Sequence, residues 1–343
     1  MDDCIIGPDD PILVTGAAGY IGTRVVNELQ QRGFRKVRCL VRPSCDLRRF
    51  SNPTALEFVK GNLLSREDCE RATRGVRVIY HLAAGTGTKS FADSFMNSVV
   101  TTRNLLDAAR HWKALTRFVN VSSFAVYTNS KKPRRSLLDE SCPTEQEPRG
   151  DAYAYAKAKQ DELVIQYWAK YGIRHVLVRP GVVYGPGKAR IHGRVGLDTF
   201  GIFLHLGGAN PVPLTYVENC AELITLAGLR PGIDGEVLNA VDDDLPSSRE
   251  FLRLYKKEVR GFPSIYLPHF ASYLFCYLWE KISAWSHGEL PPIHNRKEWR
   301  ACWKRTHYSN EKAKRMLKWS QRVPTTEGLK RYFDFCKGAN SHA

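Results

Sequence analysis

Short apolar runs recur along the first two thirds of the chain, each followed by a stretch in which apolar positions return every three or four residues. The runs are Pro11 to Thr15, Val37 to Val41, Leu56 to Val59, Val78 to Ala83, Phe118 to Val121, Val176 to Arg179 and, later, Val237 to Ala240. Runs this short and continuous predict strands buried on both faces, and the intervening period predicts helices. Parallel strands need a crossover that a helix supplies, so the alternation implies an α/β fold, a Rossmann-type doubly wound parallel sheet. The first helix, with Ile21, Val25, Val26 and Leu29 on one face, is predicted from Tyr20 to Arg32 and stops at Gly33. After Gly187 the alternation decays. Residues 1–187 are therefore expected to form a dinucleotide-binding domain, and 188–343 a smaller C-terminal substrate lobe interleaved with the last strands.

Between the first strand and its helix runs Thr15-Gly16-Ala17-Ala18-Gly19-Tyr20-Ile21-Gly22. In such a turn Gly16 lets the chain reverse sharply, Gly19 removes a side chain that would block a pyrophosphate, and Gly22 lets the helix approach the strand. The first helical amides are left aimed at an anion.

The chain has 343 residues, 43% of them hydrophobic, enough for a sizeable core. Its net charge of +16 is spread out rather than gathered on a nucleic-acid-binding motif, so no nucleic-acid partner is expected; a phosphorylated cofactor and an anionic membrane face are the simpler partners. Nine scattered cysteines, without CxxC spacing, are expected to be reduced thiols, and the histidines show no metal-ligand spacing. With no charged-then-apolar leader before Pro11, the expected location is cytoplasmic, with peripheral membrane contact as an alternative.

Candidate chemistry appears in two places. Phe118-Val-Asn-Val-Ser122-Ser123 ends a strand in two hydroxyls, and thirty residues later Tyr153-Ala-Tyr155-Ala-Lys157-Ala-Lys159 holds two overlapping Tyr-x-x-x-Lys pairs. Tyr153 and Lys157 share a helical face with Val164, Tyr167 and Trp168, whereas Tyr155 and Lys159 share one with Glu162, Gln166 and Lys170. The first pair is thus assigned: Tyr153 as acid/base, its pKa lowered by the Lys157 ammonium with a nicotinamide cation beside it, and Ser123 polarising a substrate oxygen.

With Thr15-Gly-x-x-Gly-x-x-Gly22, His81-Leu-Ala-Ala84, Asn97, Val121-Ser-Ser-x-Ala-Val-Tyr127, Tyr153-x-x-x-Lys157 and Arg179-Pro-Gly-Val-Val-Tyr-Gly-Pro-Gly187, the chain resembles the extended short-chain dehydrogenase/reductases over nearly its full length. The resemblance implies an NAD(P)-dependent enzyme with cofactor contacts at Gly16, Ala18, Gly19, Tyr20, Ile21, Gly22, Asn62, Leu63, Ala83, Ala84, Tyr153 and Lys157, and with Pro180 and Gly181 against the nicotinamide. Asn62 stands where the family usually has Asp. At the end of the second strand, where an acid normally takes the ribose 2′-hydroxyl, the chain reads Val41-Arg42-Pro43-Ser44, followed by Arg48 and Arg49. Arg42 with Ser44 favours NADP(H), NAD(H) being the alternative, with Arg42 then stacking on adenine.

Family members that act on nucleotide sugars resemble Arg-x-x-Asn-x-Tyr-Gly-Pro; this chain has Val182 at the Asn, and lacks their arginine before Tyr216. Val182, Val183 and Ser123 are therefore read as substrate contacts in an apolar pocket. The expected reaction interconverts a secondary alcohol and a ketone on a sterol-like or polycyclic molecule. The alternatives are a nucleotide-sugar C4-epimerase or dehydratase holding its diphosphate through Lys188 or Arg194, and a non-catalytic dinucleotide sensor. The aromatic run Phe262 to Trp279, within 262–285, is too interrupted to span a bilayer. It suits a buried helix or homodimer contact, a pocket wall, or an interfacial membrane helix.

Overall fold

The computed structural model describes residues 4–85, 90–128, 136–144, 151–199, 201–286, 290 and 295–340. Seven strands form one parallel sheet. They are β1 (Ile12–Thr15), β2 (Val37–Val41), β3 (Glu57–Lys60), β4 (Val78–His81), β5 (Arg117–Val121), His175–Pro180 and Val237–Ala240. Across the sheet the order is Val237–Ala240, His175–Pro180, β5, β4, β1, β2, β3. The chain winds outward in both directions from β1 and β4, so a crevice opens beyond the carboxyl ends of those two strands.

The two-residue period of the strands sorts the core into two layers. Ile12, Val14, Val78, Tyr80, Val119 and Val121 face one layer, with Val25, Val26 and Leu29 of α1 (Gly22–Gln31) and Ile224 of the helix Val217–Leu229. Leu13, Ile79, Phe118 and Leu177 face the other, against the helices Arg66–Thr73, Thr101–Ala109 and Ala152–Tyr171. Both faces being covered explains why the strands read as continuous apolar runs.

Most strand boundaries lie within a residue of expectation, and three differences have a physical reason. α1 starts at Gly22, two residues late, because Gly16 to Ile21 are used by the turn. β4 ends at His81 rather than Ala83, since its neighbour β1 ends at Thr15 and leaves no further strand to pair with. Trp168, expected on the inner face of its helix, is half-exposed and sets its ring edge-on to His175.

Beyond the sheet a further apolar cluster collects Tyr184, Val212, Leu214, Phe251, Tyr255, Tyr332 and Phe333. Small strand pairings that no sequence period announced frame it, notably Val182–Tyr184 with Leu214–Tyr216. The nine cysteines form no disulfide. No helix among the described residues is long and apolar enough to cross a membrane.

Candidate active site

The glycine turn lies at the mouth of the crevice. Gly16 has φ +66°, and a Cβ there would meet the Ala83 nitrogen at 2.8 Å; a Cβ at Gly22 would collide with the Gly16 carbonyl and lie 2.8 Å from that of Ala17. The turn is thus cramped between β4 and α1. A cradle that a side chain would fill is what close approach of a pyrophosphate requires, so these residues fit a dinucleotide.

A groove of about 510 Å³ opens from this turn. Its walls include Gly16, Ala18, Gly19, Arg42, Ser44, Asn62, Leu63, Ala83 and Ala84 from the sequence expectation. Arg42 and Ser44 are exposed, and among the described residues no partner holds the Arg42 guanidinium. Asn62 receives the Leu64 amide on its Oδ1 at 3.0 Å, closing its own turn and leaving the amide nitrogen for a ligand. Tyr20 instead leans away from the groove. Its ring lies under Arg24 and Lys188, 5.0 and 4.6 Å from the centroid, tying the turn to the lobe.

The same walls hold Cys45, Asp46 and Thr101, which sequence reasoning missed, and Arg49 and Asn97, which it named without a contact. The chain places Arg42 rather than an acid at the end of β2, but a carboxylate, Asp46, follows in the groove wall. It caps the short turn Leu47–Arg49 by accepting the Arg48 amide, and this turn folds 46 and 49 back over the groove. The Asp46 carboxylate is held by Arg48 at 2.9 to 3.1 Å, which keeps it below the usual carboxylate range. Arg48 is therefore engaged, while Arg49 reaches toward the Ala18 carbonyl. An Asp two residues before the basic pair was the available signal.

The helix Ala152–Tyr171 starts where Asp151 accepts the Tyr153 amide at 2.9 Å and stops at Gly172, which has φ +71°. Tyr153 and Lys157 point inward. Tyr155 packs its ring, tilted, against Phe91 at 5.5 Å and Lys159 pairs with Glu162 on the outer face. The Ser123 hydroxyl hydrogen-bonds the Tyr153 phenol and also accepts the Ala125 amide at 3.1 Å.

The Lys157 charge by itself does not lower Tyr153. Burial pushes Tyr153 above its ordinary value; the Ser123 bond opposes this, and Asp151 and Asp161 add to it. Lys157 supplies no lowering because its ammonium is turned elsewhere. It donates to the Val121 carbonyl at 2.8 Å and to Gln160 Oε1 at 2.9 Å. Burial brings Lys157 down to about 8, against the opposing pull of Asp161.

Gln160 continues a buried chain back to the glycine turn. Its Nε2 donates to Thr102 Oγ1 at 2.7 Å, and Thr102 donates its own proton to the Ser98 carbonyl at 2.5 Å. The 2.8 Å contact between Thr102 Oγ1 and His81 Nε2 must then carry a proton from the imidazole. His81 Nδ1 is left to accept from Thr15 Oγ1 at 2.7 Å. Burial pushes the His81 pKa down to about 3, so the ring is neutral. Asp161 anchors the neighbouring layer, accepting from Asn120, Ser122 and Arg179 at 2.9 to 3.2 Å.

Pro180 and Gly181 end their strand, Gly181 donating to the Ala240 carbonyl at 2.9 Å; they line neither the groove nor the next cavity. Directly after them Val182 and Val183 enter a second cavity of about 540 Å³. Val195, Val212, Leu214, Phe251 and Tyr332 add apolar wall, and Lys188 and Arg190 also line it. Arg194 does not line it. Its guanidinium is committed to the Ala301 carbonyl at 2.8 Å and the Tyr308 hydroxyl at 3.3 Å, which removes it as a diphosphate anchor.

Residues 12–239 match the family described as "NAD dependent epimerase/dehydratase family". Among curated relatives, the chain is 30% identical over 261 residues to a trifunctional UDP-glucose 4,6-dehydratase/UDP-4-keto-6-deoxy-D-glucose 3,5-epimerase/UDP-4-keto-L-rhamnose-reductase of Arabidopsis thaliana. That alignment covers 70% of this chain but only 38% of the relative. It is 31% identical over 246 residues to a 4-hydroxy-2-methyl-3-oxo-4-farnesyl-3,4-dihydroquinoline-1-oxide ketoreductase of Stigmatella aurantiaca, covering 70% of this chain and 71% of the relative. The solved UDP-glucuronic acid 4-epimerase of Bacillus cereus in complex with NAD superposes with a TM-score of 0.72 at 22% identity, over 96% of this chain and 99% of that one, a likeness of fold. The chain belongs to the NAD-dependent epimerase/dehydratase family.

Proposed function

We propose that the protein is an NADP(H)-linked oxidoreductase that interconverts a secondary alcohol and a ketone on a largely apolar molecule of sterol-like or polycyclic kind. The observation that carries the reading is the second cavity, whose wall is mostly aliphatic and aromatic and begins two residues after Pro180. Val182 and Val183 would touch the substrate there. The farnesylated quinoline named for the Stigmatella relative is a substrate of this character.

Gly16, Ala18, Gly19 and Gly22 would hold the pyrophosphate, Asn62 and Leu63 the adenine, and Ala83 and Ala84 the nicotinamide half, with Tyr20 and Ile21 shaping the turn; Pro180 and Gly181, outside both cavities, would meet the nicotinamide only by the family resemblance. Arg42, Ser44 and Arg49 would take a 2′-phosphate. When bound, the cofactor accepts or supplies the hydride at the substrate carbon. Tyr153 passes a proton to or from the substrate oxygen, and Ser123 holds that oxygen by hydrogen bond. Lys157 would hold the nicotinamide ribose, and its charge together with that of the oxidised nicotinamide would favour the phenolate. An apolar substrate of this kind partitions into lipid, so peripheral attachment to a membrane surface is part of the reading.

Lys188 and Arg190 in the cavity wall favour a second reading, a nucleotide-sugar epimerase or dehydratase. Spectrophotometric assay with NADPH and a panel of ketosteroids and polycyclic ketones, beside thermal unfolding with UDP-sugars, separates the two. Turnover of a ketosteroid without UDP-sugar stabilisation is expected. Saturable stabilisation by a UDP-sugar at micromolar concentration overturns the first reading.

A further inference from the structure

The helix His269–Trp285 is turned inside out. A surface helix normally buries its apolar stripe and shows its polar one. Here Ser272, Cys276 and Ser283 face the protein, while Phe270, Leu274, Phe275, Leu278, Ile282 and Trp285 are exposed, Phe270 by 76% and Trp285 by 81%. At 100° per residue these six fall within one sector of about 140°, a continuous apolar strip along the helix. None of them lines either cavity of the active-site region, which removes the pocket-wall reading of this segment.

The inward face is fastened. The Trp299 indole donates to Ser272 Oγ at 2.9 Å, Cys276 packs with Leu206, Trp299 and Trp303, and Glu280 binds Arg296 at 2.7 Å. The orientation is therefore set by the fold, and the strip cannot roll inward without breaking a buried contact. Seventeen residues rise about 26 Å, short of the hydrocarbon thickness of about 30 Å, and one flank is held by protein, so the helix can lie along a bilayer but not cross it.

Charge selects the occupant. Lys281 sits at the edge of the strip, Arg300 is on the helix Arg296–Cys302 packed beside it, and Arg253, Lys257 and Arg260 are exposed on the preceding segment. A two-fold contact through the strip would set Lys281 and Arg300 against their own images, on a chain already carrying +16. An anionic lipid surface meets both features, taking the apolar strip into the acyl boundary and the cations at the headgroups. We propose that the strip Phe270 to Trp285 is the face by which this protein docks on an anionic membrane surface, with the helix axis in the membrane plane.

Vesicle binding needs neither cofactor nor substrate, so its failure and the failure of the alcohol–ketone chemistry are separate results, although the site rests on the peripheral attachment included in the proposed function. The full chain is sedimented with phosphatidylcholine vesicles containing none or about one third phosphatidylserine, with intrinsic fluorescence recorded in parallel. The expected results are binding that grows at least tenfold with phosphatidylserine, a blue shift that Trp285→Phe reduces, and at least tenfold weaker binding for Leu274→Gln/Leu278→Gln. Those positions are half-exposed, so the variant folds as judged by circular dichroism; Ile165→Gln/Trp168→Gln, on another exposed surface, should bind as the parent does. Absence of binding to either vesicle overturns the proposal. So does binding that the Leu274/Leu278 variant leaves unchanged and salt alone abolishes, which is the diffuse charge of the chain. A dimer in sedimentation velocity that this variant dissociates gives the strip to a second copy instead.

Discussion

Removing the Arg42 guanidinium should change which cofactor the protein prefers. Arg42 follows β2 directly, lines the groove with Ser44 and Arg49, and has no partner among the described residues, whereas the neighbouring Arg48 is already committed to Asp46. A hydrogen bond to a charged group contributes about 1.5–3 kcal/mol, and the lower half of that range suits an open groove. Arg42→Ala should therefore weaken NADPH by roughly ten- to thirtyfold, at about 1.4 kcal/mol per factor of ten. NADH has no phosphate to lose and should change by less than about threefold. Arg42→Ala/Arg49→Ala should widen the gap further, and the gap should shrink in high salt, because exposed charge pairs are screened. Titrating both reduced nicotinamides by their own fluorescence gives the four dissociation constants. Equal losses for both cofactors would mean that Arg42 stacks on the adenine. Weaker NADH binding in Asp46→Asn would make Asp46 the acceptor of a ribose hydroxyl, and the preference for NADP(H) would be refuted.

Three further outcomes follow from the site. Tyr153→Phe should lower kcat by two orders of magnitude or more with cofactor affinity nearly unchanged, while Tyr155→Phe, on the outer face beside Phe91, should be mild; equal losses in steady-state assays would refute the assignment. Gly22→Ala should abolish cofactor binding, measured by the same fluorescence titration, because its Cβ has only backbone to displace at Gly16 and Ala17; retained affinity would show that the turn can open. Acid should destabilise the fold through His81: an unfolded histidine takes its proton below about pH 6.5, the folded one not until about 3, so the unfolded chain binds more protons and stability falls with pH between them. The loss is about 1.4 kcal/mol per unit well below 6.5. Urea midpoints at pH 7, 6 and 5 check it, and a His81→Gln variant with the same pH slope would disprove the assignment to His81.

The sheet and the glycine turn were legible because each rests on a local signal: runs buried on both faces, a period of 3.6, glycines at fixed offsets. The inward face of Tyr153 and Lys157 was legible for the same reason. What the Lys157 ammonium contacts was not, since Val121 and Gln160 become its acceptors only when β5 and the helix are brought together. Asp46 was invisible as a groove residue because a single turn of 3₁₀ helix, below the length at which a period can be read, carries it back. The segment 262–285 shows the limit most clearly. Periodicity reveals that a helix has an apolar face, but not whether that face meets the core, and here Ser272 and Ser283 take the core instead.

The hydrogen bonds of Lys157 bear on how the enzyme should be dissected. Substituting this lysine by methionine deletes a charge, but it also strands the Val121 carbonyl and Gln160 Oε1, two acceptors in a dry interior. Each orphaned acceptor costs about 1–3 kcal/mol. Gln160 is the amide through which Thr102 and His81 are kept in order, so the disturbance runs to Thr15 beneath the glycine turn. A dead lysine variant would thus combine lost chemistry with a loosened nucleotide cradle, and its kinetics would have no single meaning. The tyrosine hydroxyl, one atom at the end of a ring that stays in place, is the clean deletion.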